Sequence, residues 1–565
     1  MGIPFREKIN SKRAVIIISI LLIFLTVFSN LHTFDQYFHM SCAEHYSESW
    51  FSLINPEIGT GIDLSNYPPL FHQLNAALSS IMTVKTSFSI LTAFFLLLLS
   101  YNATEFLLEY FGWSQKEFWI LYALIFSNIG LMKIGLTYGM ATTLAGLSFG
   151  FIALRLFLGI TRGEPRRLTY AMFTMSLAIT GFLHHFSFLI LCMLLIIISA
   201  FEINRFNRKK VVSTGISVLA AAILLVAGIL PFISGLLTDS VPQKEISHPS
   251  RNSISTYNST QRKMWLYSSV GLSFAGFLAP LMILAGRKFG PRMVKAYLTG
   301  AFFFILGLGR TTSLPEIVFQ GLAHWLTYGR FLVISALILS APTYLIIRNF
   351  LEGAGMEITP SLTTVLFVIL IISANFFLFF RTYELFHGRS YFENSYRDEV
   401  NSFVIPFLNQ NGSENYRFQT FGYGYRTSGI TLHTEIPTTD NEYYTARKIP
   451  WIMRSGQELI DKFSEKYTRK FIRNSRNLSV RYIITFNRAK FHPDYNKIME
   501  ETVGESWKKR KEKDFGEFTG IIWEDTGVEP FHPVKDRKNY LWGTIPVFTL
   551  AAFVLITAYK QGIRG

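Results

Sequence analysis

Apolar stretches close to the roughly 20 residues that a helix needs to cross a bilayer recur along almost the whole chain, and nothing else constrains the fold as strongly. The first runs from Ala14 to Phe34, behind Arg6, Lys8, Lys12 and Arg13; later runs cover approximately 86–108, 117–133, 138–160, 168–183, 186–203, 211–236, 265–286, 293–309, 330–347, 361–380 and 541–559. Together they predict about twelve spans in a mainly α, polytopic membrane protein. Charge is segregated to match: of 54 basic and 38 acidic residues, 26 and 22 lie between 381 and 540. The expected organisation is a membrane body over 1–380, an α/β domain over 381–540, and a final span with a tail over 541–565.

Composition excludes the main alternatives. At 16% charged residues the chain falls well below the ~25% of an ordinary soluble domain, and at 50% hydrophobic it is not intrinsically disordered. The net charge of +16 comes from short clusters between apolar runs and forms no continuous stripe, so no nucleic-acid partner is expected. Two cysteines, Cys42 and Cys192, make a structural disulfide or a cysteine-based metal site improbable.

The basic clusters predict topology. Arg162/Arg166/Arg167, Arg205/Arg208/Lys209/Lys210, Arg287/Lys288/Arg292 and Lys560/Arg564 all fall on one side if the spans alternate, and the positive-inside rule makes that side cytoplasmic. Both termini are then cytoplasmic, and 381–540 is extracytoplasmic, in a multi-pass protein of the cell membrane. No small-residue cleavage site follows the first span, which therefore reads as a retained anchor. The alternation closes only if the segment 70–82, after Pro68-Pro69, does not cross; at thirteen residues it suits a surface helix within a large outer loop, 35–85. In the outer domain, a helical period before Ile472 and β-like runs at Val480–Phe486 and Gly520–Trp523 indicate an α/β arrangement. The basic run Lys508–Lys511 reads there as a solvated face.

Chemistry concentrates in that first outer loop. Asp35 and His39, at i and i+4, share a face of a continuing helix; Glu44 and His45 follow, and Tyr67-Pro68-Pro69-Leu70-Phe71-His72 opens the next segment. A carboxylate with an imidazole can take a proton or hold a divalent cation. An Asp at a helix start more often just caps it, so the pair alone is a weak motif. On later outer turns, His184 and His185 are adjacent and point to different faces, so at most one should enter a cleft. Arg310 ends one apolar run and Arg330 opens another; arginine at membrane depth costs ~2.5–3.5 kcal/mol and calls for an anion or water nearby. Phe421-Gly422-Tyr423-Gly424-Tyr425-Arg426 offers rings for carbohydrate, although a Gly/Tyr edge strand or turn is the more frequent explanation.

The order of basic N-terminus, one span, D-x-x-x-H, an acidic residue and Y-P-P-L-F-H before the second span resembles the GT-C superfamily of polytopic glycosyltransferases. Within it, the nearest likeness is to prokaryotic, often archaeal, membrane proteins labelled as related to 6-pyruvoyl-tetrahydropterin synthase. Two departures stand out: no W-W-D-Y-G sequence occurs, and Gln36 follows Asp35 where an Asp-Glu pair marks other members. The resemblance implies transfer of a sugar from a polyprenyl-phosphate donor to a glycan, lipid or protein acceptor on the extracytoplasmic face, with inversion. It makes Asp35 the general base or, with His39, the ligand of a divalent cation. It gives Tyr67, Pro68, Pro69 and His72 a positioning role around the cleft; the residues themselves make Glu44 and His184 further cleft candidates, with Arg330 first and Arg310 second as phosphate clamps. A transporter or lipid flippase, and a non-catalytic envelope scaffold, are the rival classes; the first would carry repeats and broken helices at mid-membrane.

Overall fold

The computed structural model describes residues 35–115, 117–137, 139–231, 233–234, 290–353, 355, 397–424, 427–440, 464–487, 494–504, 506–532 and 536–562. The expected spans at 14–34, 265–286 and 361–380 lie outside these, as do the outer loop 237–263, Tyr425 and Arg426.

The first loop folds as α1 (Gln36–Glu48), a short antiparallel pair of β1 (Ile54–Asn55) and β2 (Ile62–Asp63), and α2 (Leu70–Ser79). Asp35 is the N-cap of α1, and the Pro68-Pro69 pair, already committed in φ, launches α2. At ten residues α2 is about 15 Å long, too short to cross. It is enclosed in the protein and not laid on its surface: Leu70, Phe71, His72 and Gln73 are all buried, because α1 and three later helices surround it.

The body follows as α3 (Val84–Phe111), α4 (Phe118–Phe126), α5 (Ala141–Arg162), α6 (Arg167–Leu183), α7 (His185–Phe201), α8 (Arg208–Gly228), α9 (Pro291–Gly307) and α10 (Gly329–Gly353). Thr83 caps α3 by accepting from the Thr86 N–H, and Gly112, at φ +71°, ends it in the left-handed region. Hydroxyls inside these apolar helices are satisfied locally: Thr92, Ser100 and Thr104 donate to carbonyls four residues back.

Among the described residues, five helices are long and apolar enough to cross a membrane: α3, α5, α8, α10 and the last helix of the chain. The runs at 168–183, 186–203 and 293–309 form 17-residue helices, at the short end of the spanning range. The run at 117–133 is not one straight span. It bends by 51° between Phe118–Phe126 and Gly130–Leu136, where the Asn128 side chain accepts from the Leu131 N–H and starts a new helical turn.

The second unit contains α11 (Asp398–Asn411), β3 (Arg417–Phe421), α12 (Ser428–Thr431), α13 (Ser464–Asn474), β4 (Val480–Phe486), α14 (Tyr495–Thr502), β5 (Trp507–Asp514) and β6 (Thr519–Asp525). Its sheet has the order β3-β4-β6-β5, with β3 and β4 parallel and the other pairs antiparallel. Phe403, Val404, Phe418, Tyr482, Ile484 and Ile522 form its core on one side. Lys508–Lys511 lie on the exposed edge strand β5, where charge discourages further strand addition.

Helix α15 (Tyr540–Gly562) returns to the body and clamps the first loop. The fully buried Trp542 donates from Nε1 to the Tyr46 hydroxyl at 2.8 Å, and its carbonyl accepts from Gln73 at 3.3 Å. The Asn539 N–H donates to the Phe51 carbonyl at 2.8 Å, and Arg537 pairs with Asp63. From the other side, the Thr438 N–H donates to the Glu57 carbonyl at 2.7 Å and the Gly59 N–H to that of Asp440 at 2.9 Å. Trp542→Ala should therefore cost about 3–5 kcal/mol, a lower thermal midpoint that comes with faster proteolysis between 49 and 69; an unchanged midpoint would mean the loop is held elsewhere.

Candidate functional site

Buried imidazoles define the site. His39 on α1 and His72 on α2 are almost completely enclosed, and His39 Nδ1 lies 2.9 Å from His72 Nε2. One of these two facing nitrogens donates to the other, a bond that two neutral imidazoles can make in either tautomeric sense. Burial pushes His72 down to about 3. Burial, then the neighbouring His72 and Arg330, hold His39 well below the ordinary imidazole value.

Tyr67 joins this pair to the body. Its ring centroid is 5.6 Å from that of His39 and 5.3 Å from that of His72, and its hydroxyl is 2.8 Å from Thr142 Oγ1 at the start of α5. His184 and His185 flank the same tyrosine at 6.4 and 6.2 Å, contrary to the expectation that at most one would enter. The reason is backbone geometry: His184 is the extended N-cap of α7, at φ −165° and ψ 114°, so the angular offset of consecutive helical residues does not apply. Its Nδ1 accepts from the Ser187 N–H at 3.2 Å, which fixes the proton on Nε2, 3.5 Å from Thr143 Oγ1. Gly146 permits this approach, because a Cβ there would lie 2.7 Å from that of Ser187 and 3.0 Å from that of His184.

Arg330 stands at the start of α10 beside these rings. Its guanidinium sits 5.2 Å above the Phe186 ring and 3.9 Å from Met140 Sδ, close enough for its charge to act on both His39 and His184. Met140 belongs to the irregular stretch after the bent pair, so the broken span delivers non-helical backbone next to this cluster. Such backbone is tolerated at membrane depth where it is buried in protein or borders a cavity.

Of the other expected residues, Asp35 stands one turn before His39 on α1, whereas Arg310 and Glu44 lie elsewhere. Asp35 is half-buried at the N-cap of α1, and its carbonyl accepts from the His39 N–H at 3.2 Å. Arg310 is engaged by Glu316 at 3.1 Å on a separate turn. Tyr423 is no carbohydrate platform: it is buried in the core of the second unit and donates to Asn401 at 2.6 Å. Glu44 lies 140° around α1 from His39 and instead lines a cavity of about 950 Å³ between α1 and the second unit, with Glu48, Glu57, Glu414 and Glu435. Burial, then neighbouring carboxylates, raises Glu44 and Glu57 to about 7. Among the described residues, no group of three or more His, Cys, Asp or Glu side chains is arranged to hold a metal ion. Thr142, Thr143, Met140 and Phe186 carry no distinguishing sequence signal; the only hint is two threonines at the outer end of an apolar run.

No family profile matches the chain, and no curated protein sequence does. Solved structures that share its fold include two transferases. The arabinofuranosyltransferase AftD from Mycobacteria aligns with 92% of this chain at 11% identity and a TM-score of 0.55, and the chain spans 40% of AftD's length. ArnT from Cupriavidus metallidurans, in a crystal structure bound to undecaprenyl phosphate, aligns over 92% of this chain and 99% of its own length, at 11% identity and a TM-score of 0.51. At this identity the likeness is one of architecture: the chain shares the fold of these two transferases, and five of its described helices are long and apolar enough to cross a membrane.

The two titrating groups of the loop have opposite signs. The histidines, with lowered values, stabilise fully above the free imidazole value of ~6.5 and lose that contribution as pH falls below it. The carboxylates, with raised values, stabilise below their free value of 4.5 and lose that contribution as pH rises through about 7. Glu57→Gln should accordingly raise the melting temperature at pH 8 but hardly at pH 4.5, and His72→Gln should shrink the loss seen between pH 6.5 and 5. Equal shifts at both pH values would contradict these assignments. Gly146→Ala should cost about 1–3 kcal/mol by overpacking against His184 and Ser187, read as a drop in melting temperature.

Proposed function

We propose that this chain is a glycosyltransferase that moves a sugar from a polyprenyl-phosphate-linked donor to an acceptor on the extracytoplasmic face, with inversion. The observation that carries it is the convergence of one arginine, Arg330, with neutral imidazoles and a tyrosine hydroxyl at the loop end of an apolar body. An anion with a hydrophobic tail fits this setting. The arginine supplies charge and a bidentate fork, and the neutral rings and Tyr67 supply hydrogen bonds. In the reaction an acceptor hydroxyl attacks the anomeric carbon, the bond to the carrier phosphate breaks, and that phosphate leaves as an anion stabilised by Arg330. The hydroxyl proton passes to Asp35 as general base. If a divalent cation takes part, Asp35 and His39 would be its ligands. ArnT in complex with undecaprenyl phosphate supports the carrier class by likeness of fold. The nearer likeness to the proteins labelled as pterin-synthase-related belongs to this proposal and rests on Asp35 to His72.

Purified protein incubated with a panel of polyprenyl-phosphate sugars and candidate glycan acceptors should release the lipid phosphate. Asp35→Asn should slow release roughly 100- to 10,000-fold while leaving the melting temperature unchanged. Full activity in that variant would overturn the role of Asp35; no release from any donor would overturn the reading. One observation favours a transporter, namely the 51° bend at 126–130. Movement of the sugar lipid across proteoliposomes without release of its phosphate would decide for that class.

A further inference from the structure

A second cavity, of about 550 Å³, lies at the opposite end of the body from the histidines. Helix α3 measures the separation: it begins beside α2, with Ser87 hydrogen-bonded to Asn75, and ends 28 residues later at Phe111 on the cavity wall, about 40 Å away. The ends of α3 and α7 and the start of α9 close around this space.

Its lining combines two chemistries. Arg205, Arg292 and Lys295 bring three positive charges. Among the described residues the single lining carboxylate, Glu202, is already shared between Arg162 and Arg205, each at 2.6 Å, so the described lining has surplus positive charge. Arg292 and Lys295 are held in place by the last carbonyls of two helices: Arg292 donates to Phe111 at 3.3 Å and Lys295 to Phe201 at 2.9 Å. These bonds use one donor of each side chain, whereas a guanidinium has five N–H groups and an ammonium three. The first turn of α9 adds the positive end of its dipole. Trp113 and the rings of Phe111 and Phe201 form the other wall, apolar surface of the kind that seats at the edge of a bilayer.

We propose that this cavity binds the phosphate of an anionic phospholipid from the leaflet at that end of the body, its acyl chains leaving along the aromatic wall. Charge alone would suit a free phosphate equally; the aromatic wall, on helices whose flanks are apolar, selects the lipid. Arg205 and Arg292 belong to the basic clusters that the positive-inside rule assigns to the cytoplasm, so the leaflet is the cytoplasmic one, where anionic lipids are presented.

The test uses the full chain in neutral detergent, with phosphatidylglycerol, phosphatidylcholine or inorganic phosphate added. Thermal midpoints and lipid adducts retained in native mass spectrometry are read together. Phosphatidylglycerol should raise the midpoint and remain bound, and the other two should do neither. The double variant Arg292→Gln/Lys295→Gln should bind phosphatidylglycerol at least about tenfold more weakly. Because that variant also removes two helix caps, Arg205→Gln provides the control: it leaves both caps in place and should weaken binding alike. Equal effects of the two lipids, an effect of inorganic phosphate by itself, or unchanged binding in Arg205→Gln would overturn the proposal and leave these cations as helix caps only.

Discussion

The hydrogen bond between His39 and His72 is the contact on which the site depends. It joins the first and last helices of the loop, and it does so between two rings that have left water. A charged imidazole in that position would carry a desolvation cost that no described carboxylate offsets, and both rings are accordingly held neutral. The two rings form a polar floor beside Tyr67, with Arg330 at its edge.

That floor is over-determined by what grips the loop from outside. Helix α15 reaches it through Trp542 and Asn539, and residues 438–440 add backbone hydrogen bonds at Glu57 and Gly59. The loop is therefore a wedge between the last helix and the second unit, and both of its own helices are buried on more than one face. This is also why the acidic cavity lies where it does. The side of α1 that carries Glu44 and Glu48 faces the second unit, while the side that carries His39 faces the body.

Burial in lipid demands both length and composition, which can be counted, and five of the apolar runs form helices long and apolar enough to cross a membrane among the described residues. They did not announce the bend near Asn128, since one side-chain acceptor in an otherwise apolar run is enough to start a new helix. The helical character of α1 and α2 is legible from the i, i+4 spacing and the proline pair, but their enclosure is not, because it comes from helices farther along the chain, α3, α6 and α15 around α2. Tyr67, His72, His184 and Arg330 could be chosen as polar residues at the loop end of apolar runs. Thr142, Thr143 and Phe186 could not, being ordinary core residues in sequence and partners of the site only through packing. Glu44 lies apart from the histidines because a five-residue step along a helix turns it to the other side. Tyr423, just past β3, fills a core, in keeping with the simpler reading of its stretch as a strand end.

The account stands or falls on Arg330 and the neutral imidazoles forming one phosphate pocket. An experimental structure of the protein with a polyprenyl phosphate tests this most directly. The phosphate is predicted within hydrogen-bonding distance of the Arg330 guanidinium, with Tyr67 and at least one of His39 and His184 beside it and the isoprenoid chain running along the body. A phosphate seated elsewhere, with Arg330 still stacked on Phe186 and no anion near it, would contradict it.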